Sequence, residues 1–291
     1  MKPAPHSGPV VGARDNLQAI DCSACGYIHL NPLPDPRALD RYYASDFWQT
    51  TKSGSRAEME AEADWLDAIN GDWLALLRGD RKAGTLLDVG SGYGWFLRAA
   101  IRAGFGADGL EPNKAAAEYA KKNSGTYVAV GTWESLQVTL RWDCLSALWV
   151  LEHLIDPRAF LSWSRDRLVP GGRLLLVVPN DFRALQLEVN PKVARPFFFL
   201  DATHINYFRP ETLWNLLGRA GFRVVDYCGT YPMENFLLDG EDYTAEENAG
   251  LGAQCHAKVR NGDVLIGTEA RRARYRHDLS GRELVVVAER E

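Results

Sequence analysis

Long apolar runs are missing from this chain. No stretch of its 291 residues approaches the roughly 18 consecutive apolar residues that mark a membrane span. The opening, MKPAPHSGPVVGARDN, has no apolar core of a secretory leader, so a cytoplasmic setting is the expectation. Cations are not in excess either: 33 lysines and arginines face 38 aspartates and glutamates, a formal net charge of -5 with no basic block. A protein that tracks a phosphate backbone needs local positive charge to displace counterions. Nucleic acid is therefore not expected as a partner, a small molecule is, and self-association into a homodimer stays open. Cysteine is scarce, and five of them at irregular spacing make no disulfide framework. Cys22 and Cys25 form a C-x-x-C with His29 close behind, but a structural zinc takes four ligands and no second pair stands at comparable spacing. Only His6 is placed to reach back, and the expectation is no metal. His29, His256 and His277 are read as background.

What is present is ordinary globular material, 46% hydrophobic and 24% charged, without an internal repeat. Residues 1–25 are rich in proline, glycine and small polar side chains, so the extreme N-terminus is expected to be loose. A proline-rich stretch and a short helix bearing Tyr42, Tyr43, Phe47 and Trp48 follow, the aromatics read as core cover. From 55 to 78, apolar residues at helical spacing predict one helix with a break at Gly71. Beyond Gly84 short apolar strands (85–89, 106–111, 126–130, 144–150, 173–179) alternate with helices (93–103, 113–122, 157–168). Continuous apolar strands separated by helices predict a doubly wound α/β domain, its parallel sheet covered on both faces. A helix over 210–221 and strands over 222–228 and 283–289 complete it. The chain thus divides into an N-terminal extension and helical cap, 1–83, and a ligand-binding domain, 84–291, with insertions near 185–202 and 229–281.

The stretch TLLDVGSGYGWF, 85–96, carries the chemistry. A dinucleotide turn needs a third glycine where this chain has Trp95, and no lysine of a nucleotide-triphosphate loop follows. There remain Asp88 at a strand end, Gly90, Gly92 and Gly94 at alternate positions, and Glu111 at the end of the next strand, where a carboxylate accepts both hydroxyls of a ribose. A ligand with a ribose but no diphosphate fits, and S-adenosylmethionine is the abundant one. Its carboxylate would lie near the helix N-terminus.

LLDVGSGYGWF, GLEPN, LWVLEHLIDP, LVPGGRLLLVVPN and HINYFRPETLWNLLGRAGFRVV, in that order, resemble class I S-adenosylmethionine-dependent methyltransferases, most of all the branch that acts on small molecules. The match spans roughly 84–228 plus the last strand. The resemblance implies a Rossmann-like seven-stranded sheet in the order 3-2-1-4-5-7-6 with the last strand antiparallel, S-adenosyl-L-methionine as cofactor, S-adenosyl-L-homocysteine as product, and adenine contacts from Gly131, Thr132 and Trp133. CSACGYIHLNPLPDP is similar to the leader of some members from sugar and natural-product pathways, in which an upstream cysteine pair completes a zinc site; that pair is absent from this sequence.

The expected cofactor set is Tyr43, Asp88, Gly90, Ser91, Gly92, Gly94, Glu111, Pro112, Thr132, Trp133 and Trp149. Methyl transfer to a hydroxyl needs a base, and histidine titrates in the right range, which makes His153 and His204 the catalytic candidates. Glu152, Asn206, Tyr207 and Phe198 are the substrate-facing candidates. The expected activity is O-methylation of a sugar-type or secondary metabolite. The alternatives are a catalytically silent cofactor-binding module and, disfavoured by Trp95, a nicotinamide oxidoreductase.

Overall fold

The computed structural model describes residues 6–48, 55–137 and 139–291. Its strands are β1 (Val10–Arg14), β2 (Leu17–Cys22), β3 (Tyr27–Leu30), β4 (Thr85–Val89), β5 (Gly106–Glu111), β6 (Val128–Val130), β7 (Trp142–Leu148), β8 (Leu168–Pro179), β9 (Asn206–Tyr207), β10 (Phe222–Gly229) and β11 (Glu283–Arg290). The helices are α1 (Pro36–Arg41), α2 (Ser55–Ala61), α3 (Ala63–Arg78), α4 (Trp95–Arg102), α5 (Lys114–Ser124), α6 (Pro157–Arg167), α7 (Ala184–Val189), α8 (Pro210–Arg219), α9 (Glu234–Leu238) and α10 (Leu251–Tyr275).

Seven strands form the main sheet in the order β6-β5-β4-β7-β8-β11-β10. Counted from β4, that is the order the resemblance implied. β4 pairs in parallel with β5 and β7, while β11 runs antiparallel to both β8 and β10. The strands are buried on both faces: Leu174 to Val178 of β8 and Leu284 to Ala288 of β11 have essentially no exposed surface. Two apolar layers result, one packed under α6 and α8 and the other under α3, α4 and α5. Because every parallel strand delivers its C-terminal end to the same edge, the loops after β4, β5, β6, β7 and β8 meet there, and that edge is the functional one.

Three expectations are corrected. The leader carries strands that its composition did not suggest, the extreme N-terminus at 1–5 lying outside the described residues: β1, β2, β3 and β9 form a second, antiparallel sheet with Ala19, Ile20 and Ile28 buried. Asp15, at φ 53°, and Asn16 make the turn between β1 and β2, a left-handed position that short polar side chains tolerate. Gly71 does not break a helix; it lies inside α3, and the break falls at Glu62, where φ is -104°. β7 stops at Leu148 instead of 150, because Trp149 turns the chain at φ 53°. The polar stretch before β11 forms α10, anchored to α3 by the buried pair of Arg271 Nε and Asp72 Oδ2 at 2.6 Å.

Candidate functional site

Between β4 and α4 the backbone reverses through Gly90, Gly92 and Gly94 at φ 74°, 52° and 76°, all in the left-handed region that favours glycine. A Cβ on Gly90 would stand 2.6 Å from Val150 Cγ2, in the loop after β7. One on Gly94 would stand 2.9 Å from the Cα of Ala120, so this third glycine lets α4 pack on α5 and does not face the cleft. The turn is fastened to β5 by Gly90 N–H and Ser91 N–H, which donate to Leu110 O at 2.7 and 3.1 Å. Glu111 then reaches back under the turn. Its Oε2 accepts from Gly92 N at 2.9 Å, and its Oε1 accepts from Asn113 N at 3.0 Å and from the Trp48 indole at 3.3 Å.

The electrostatics suit a cationic, ribose-bearing ligand and not a phosphate. Asp88, 2% exposed, accepts from Ser146 Oγ at 2.7 Å. Burial pushes its carboxyl up to about 7, with the nearby Glu111 charge adding and the Ser146 bond partly offsetting. Burial likewise raises Glu111, against the lowering by Asn113 N–H, Gly92 N–H and Trp48. Because Asp88 binds its proton more tightly folded than unfolded, its own contribution to the stability of the ligand-free protein falls as pH rises from about 4 to about 7. A cationic ligand favours the ionised form. S-adenosylmethionine uptake at pH 6 is therefore expected to release protons, and its affinity to rise towards pH 7 by at most about tenfold per unit. Titration calorimetry in buffers of different ionisation enthalpy checks this; a binding heat independent of buffer rejects it.

The centre of the cleft is built on the loop after β7. Trp149 N–H donates to Val177 O at 2.8 Å, its ring lies 5.5 Å from Trp73, and Leu151–His153 form one short turn. His153 Nδ1 lies 2.6 Å from the Thr203 carbonyl and 2.8 Å from the Tyr43 hydroxyl. A carbonyl only accepts, so Nδ1 carries the hydrogen, and in the neutral ring the lone pair is on Nε2. That atom stands 3.9 Å from Oε1 of the fully buried Glu152. The His204 ring crosses His153 at 5.0 Å, and one ligand atom each of Glu152, His153 and His204 falls within a 4.8 Å cluster able to hold a cation. Although burial pushes Asp201 upward, Thr203 and the two imidazoles hold its carboxyl below the ordinary range.

These parts share one cavity of about 980 Å³. Of the expected residues it is lined by Tyr43, Asp88, Gly90, Ser91, Gly92, Glu111, Pro112, Thr132, Trp133, Trp149, Glu152, His153, Phe198 and His204. Trp133 packs edge-on to Phe160, with ring centroids 5.8 Å apart. Asn206 and Tyr207 are not brought to the cavity. They are 2% and 1% exposed in β9, where Asn206 Nδ2 donates to Leu154 O at 2.7 Å and the Tyr207 hydroxyl to Asp201 O at 3.2 Å, positioning the loops that carry the histidines.

The far end holds what the sequence reading missed: Asp181, Gln186, Glu234, His256, Arg282 and Glu283. Gln186 Nε2 donates to Asp181 Oδ1 at 3.0 Å, Arg183 pairs with Glu234, and Glu283 accepts from Thr230. Burial pushes Asp181 up to about 6 and His256 down to about 4. His256, read as background, is a neutral wall residue at pH 7. Nothing in the local pattern marks these positions; the turn after β8 and the insertion before β11 meet only in three dimensions.

A methyltransferase-domain family matches residues 61–227. The chain belongs to this family. S-adenosylmethionine is the cofactor that membership implies, which sets the nicotinamide reading aside. The chain is 38% identical over 93 residues to the ubiquinone biosynthesis O-methyltransferase of Paramagnetospirillum magneticum, a match covering 30% of this chain and 37% of that protein. It is 33% identical over 152 residues to the tRNA U34 carboxymethyltransferase of Dichelobacter nodosus, covering 48% and 46% respectively. The chain thus spans less than half the length of each of these two relatives. Its backbone follows that of magnesium protoporphyrin IX methyltransferase from Synechocystis PCC 6803, solved with S-adenosylhomocysteine bound, at a TM-score of 0.54 and 13% identity over 88% of this chain and 100% of the other. That likeness concerns the fold. No helix among the described residues is long and apolar enough to cross a membrane.

Proposed function

We propose that this methyltransferase O-methylates a small polar molecule of the sugar or secondary-metabolite type. The observation that carries the reading is the continuity of one cavity from the Glu111 carboxylate, through His153 and His204, to the polar wall at Asp181, Arg282 and Glu283. S-adenosylmethionine supplies an already activated methyl group, so positioning the acceptor about 3–3.5 Å from it accounts for much of the rate. Glu111 accepts the ribose hydroxyls, and the backbone after Asp88 accommodates the amino-acid tail. His153 Nε2 takes the acceptor's proton. Thr203 O and the Tyr43 hydroxyl, whose proton burial holds in place, fix its ring. His204 and Glu152 stand beside the acceptor, and Phe198 covers it.

The far wall sets the substrate class. Asp181, Glu234 and Glu283 against Arg282 and the Gln186 amide give a polar lining with both donors and acceptors, suited to hydroxyls and not to a long apolar tail. The net charge of -5 supports a small molecule over nucleic acid, and a cytoplasmic setting accompanies that reading. The test is transfer of a labelled methyl group to panels of hydroxylated metabolites, sugar nucleotides, phenols, amines and tRNA, with and without magnesium. Methyl ethers of polar small molecules are expected. Labelled tRNA or N-methyl products overturn the reading, and no transfer to any panel with S-adenosylhomocysteine still bound favours the silent module.

Trp48 bears on cofactor entry. Its indole donates to Glu111 at 3.3 Å, so a ribose hydroxyl entering there must replace that bond. Trp48→Phe keeps a ring and removes the competing donor, and S-adenosylhomocysteine is expected to bind up to about tenfold more tightly. Weaker binding in calorimetry would instead make Trp48 part of the ligand's wall.

A further inference from the structure

We propose that the leader sheet is closed by a structural zinc ion held by His6, Cys22, Cys25 and His29, a site that does not rest on the methyl-transfer reading. The sequence leaves Cys22 and Cys25 short of ligands; the fold supplies two imidazoles. Cys22 ends β2 and Cys25 sits in the turn before β3, drawn tight by Gly26 N–H donating to Cys22 O at 2.8 Å. β3 pairs antiparallel with β2 and carries His29 back alongside the turn. The strand entering β1 is tied to the same hairpin by Asp21 N–H to Pro9 O and Ser23 N–H to Ser7 O, both at 3.0 Å, which returns His6 to the cluster.

Three of the four atoms' six separations lie within about 0.2 Å of a tetrahedron's edges. His6 Nδ1 lies 3.1 Å from His29 Nε2, 3.4 Å from Cys25 Sγ and 3.8 Å from Cys22 Sγ, and the four ligand atoms all fall within 4.8 Å of one another. Zinc bonds of about 2.0–2.1 Å to nitrogen and about 2.3 Å to sulfur place tetrahedral ligand atoms about 3.3 to 3.8 Å apart. His29 is also oriented for the task. Its Nδ1 lies 2.8 Å from the Leu30 carbonyl, to which it donates, so its Nε2 lone pair faces the cluster, the outer hydrogen bond found behind metal-bound histidines. Cys22, Cys25 and His29 are 0%, 4% and 1% exposed, and among the described residues no carboxylate joins them. A set of two thiolates and two imidazoles, three of the four residues buried, selects zinc over magnesium or calcium. On binding, both thiols lose their protons to solvent.

The ion would brace the active site from outside. β3 pairs with β9, Leu30 N–H donates to Ile205 O, and Ile205 N–H donates to Glu152 O, each backbone bond being 2.8 Å long. The zinc-held sheet therefore supports the backbone between His204 and Glu152.

The test is metal analysis of the full chain purified without added metal. About one zinc per chain is expected, and exchange for cobalt(II) should give the absorption of a tetrahedral, thiolate-bound ion. His6 is exposed, so His6→Ala folds without difficulty; it is expected to give up its zinc to a chelator at least about tenfold faster, while His6→Cys retains it. Less than about a tenth of a zinc per chain and no cobalt spectrum overturn the proposal, leaving a hydrogen-bonded thiol and imidazole cluster. His6→Ala holding zinc as firmly as the parent chain overturns the four-ligand assignment.

Discussion

Replacing His153 by glutamine is expected to lower kcat by about 10²–10⁴-fold, the range typical of a lost general base, while S-adenosylhomocysteine binding stays unchanged. The expectation rests on the tautomer. With Nδ1 committed to Thr203 O at 2.6 Å, the neutral ring offers a lone pair only at Nε2, beside the cavity. Glutamine preserves size and polarity but takes no proton. A base acts only when neutral, so His153→Gln should flatten the acid limb of the parent enzyme's kcat/KM profile. His204→Gln, removing a neighbour, should act on KM more than on kcat. Tyr43→Phe removes one of the two groups holding the ring and should cost about three- to tenfold in kcat. Full kcat in His153→Gln would mean that the loop is structural and that the acceptor is deprotonated elsewhere. Binding and rate both unchanged in Tyr43→Phe would count against the closing role of that residue.

Glu111→Gln is expected to weaken S-adenosylhomocysteine binding by about 10- to 100-fold, because hydrogen bonds to an ionised acceptor contribute about 1.5–3 kcal/mol each and the amide keeps only one accepting oxygen. Loss of fold can be told apart from loss of binding. Burial raises the Glu111 carboxyl, so the ionised form is disfavoured in the ligand-free protein, and removing the charge offsets the hydrogen bond lost where the amide nitrogen replaces an accepting oxygen, which should leave Tm little changed. Calorimetry for affinity and thermal unfolding with and without ligand separate the two. A variant with parental affinity would show that the ribose is held elsewhere. One with a collapsed Tm would show that the bonds from Gly92 N and Asn113 N to this carboxylate are what form the turn.

The turn was legible in advance because its chemistry is local. Alternate glycines after an apolar strand require positive φ and close approach, and the next strand's terminal acid stands beside them by the geometry of a parallel pair, Val89 opposite Leu110. His153 and His204 were legible as residue types near the functional edge, but not as one site. Their rings meet at 5.0 Å only because β9 crosses back to pair with β3. Asn206 and Tyr207 show the opposite outcome: polar neighbours of a candidate base proved to be buried supports, since strand alternation and pairing, and not adjacency in sequence, decide where a side chain points.

Taken alone, the order of residues determined the doubly wound sheet, the glycine turn and the acid that faces it, each written within about 30 consecutive residues of a βαβ unit. Tertiary structure alone decided the rest: the second sheet, the return of His6 to Cys22 and Cys25, the pairing of His153 with Thr203, and the polar far wall at Asp181 and Arg282. The physical reason is range. Backbone periodicity and turn chemistry act between neighbours, whereas a cluster drawn from distant segments exists only once burial of the strands has fixed which loops share an edge.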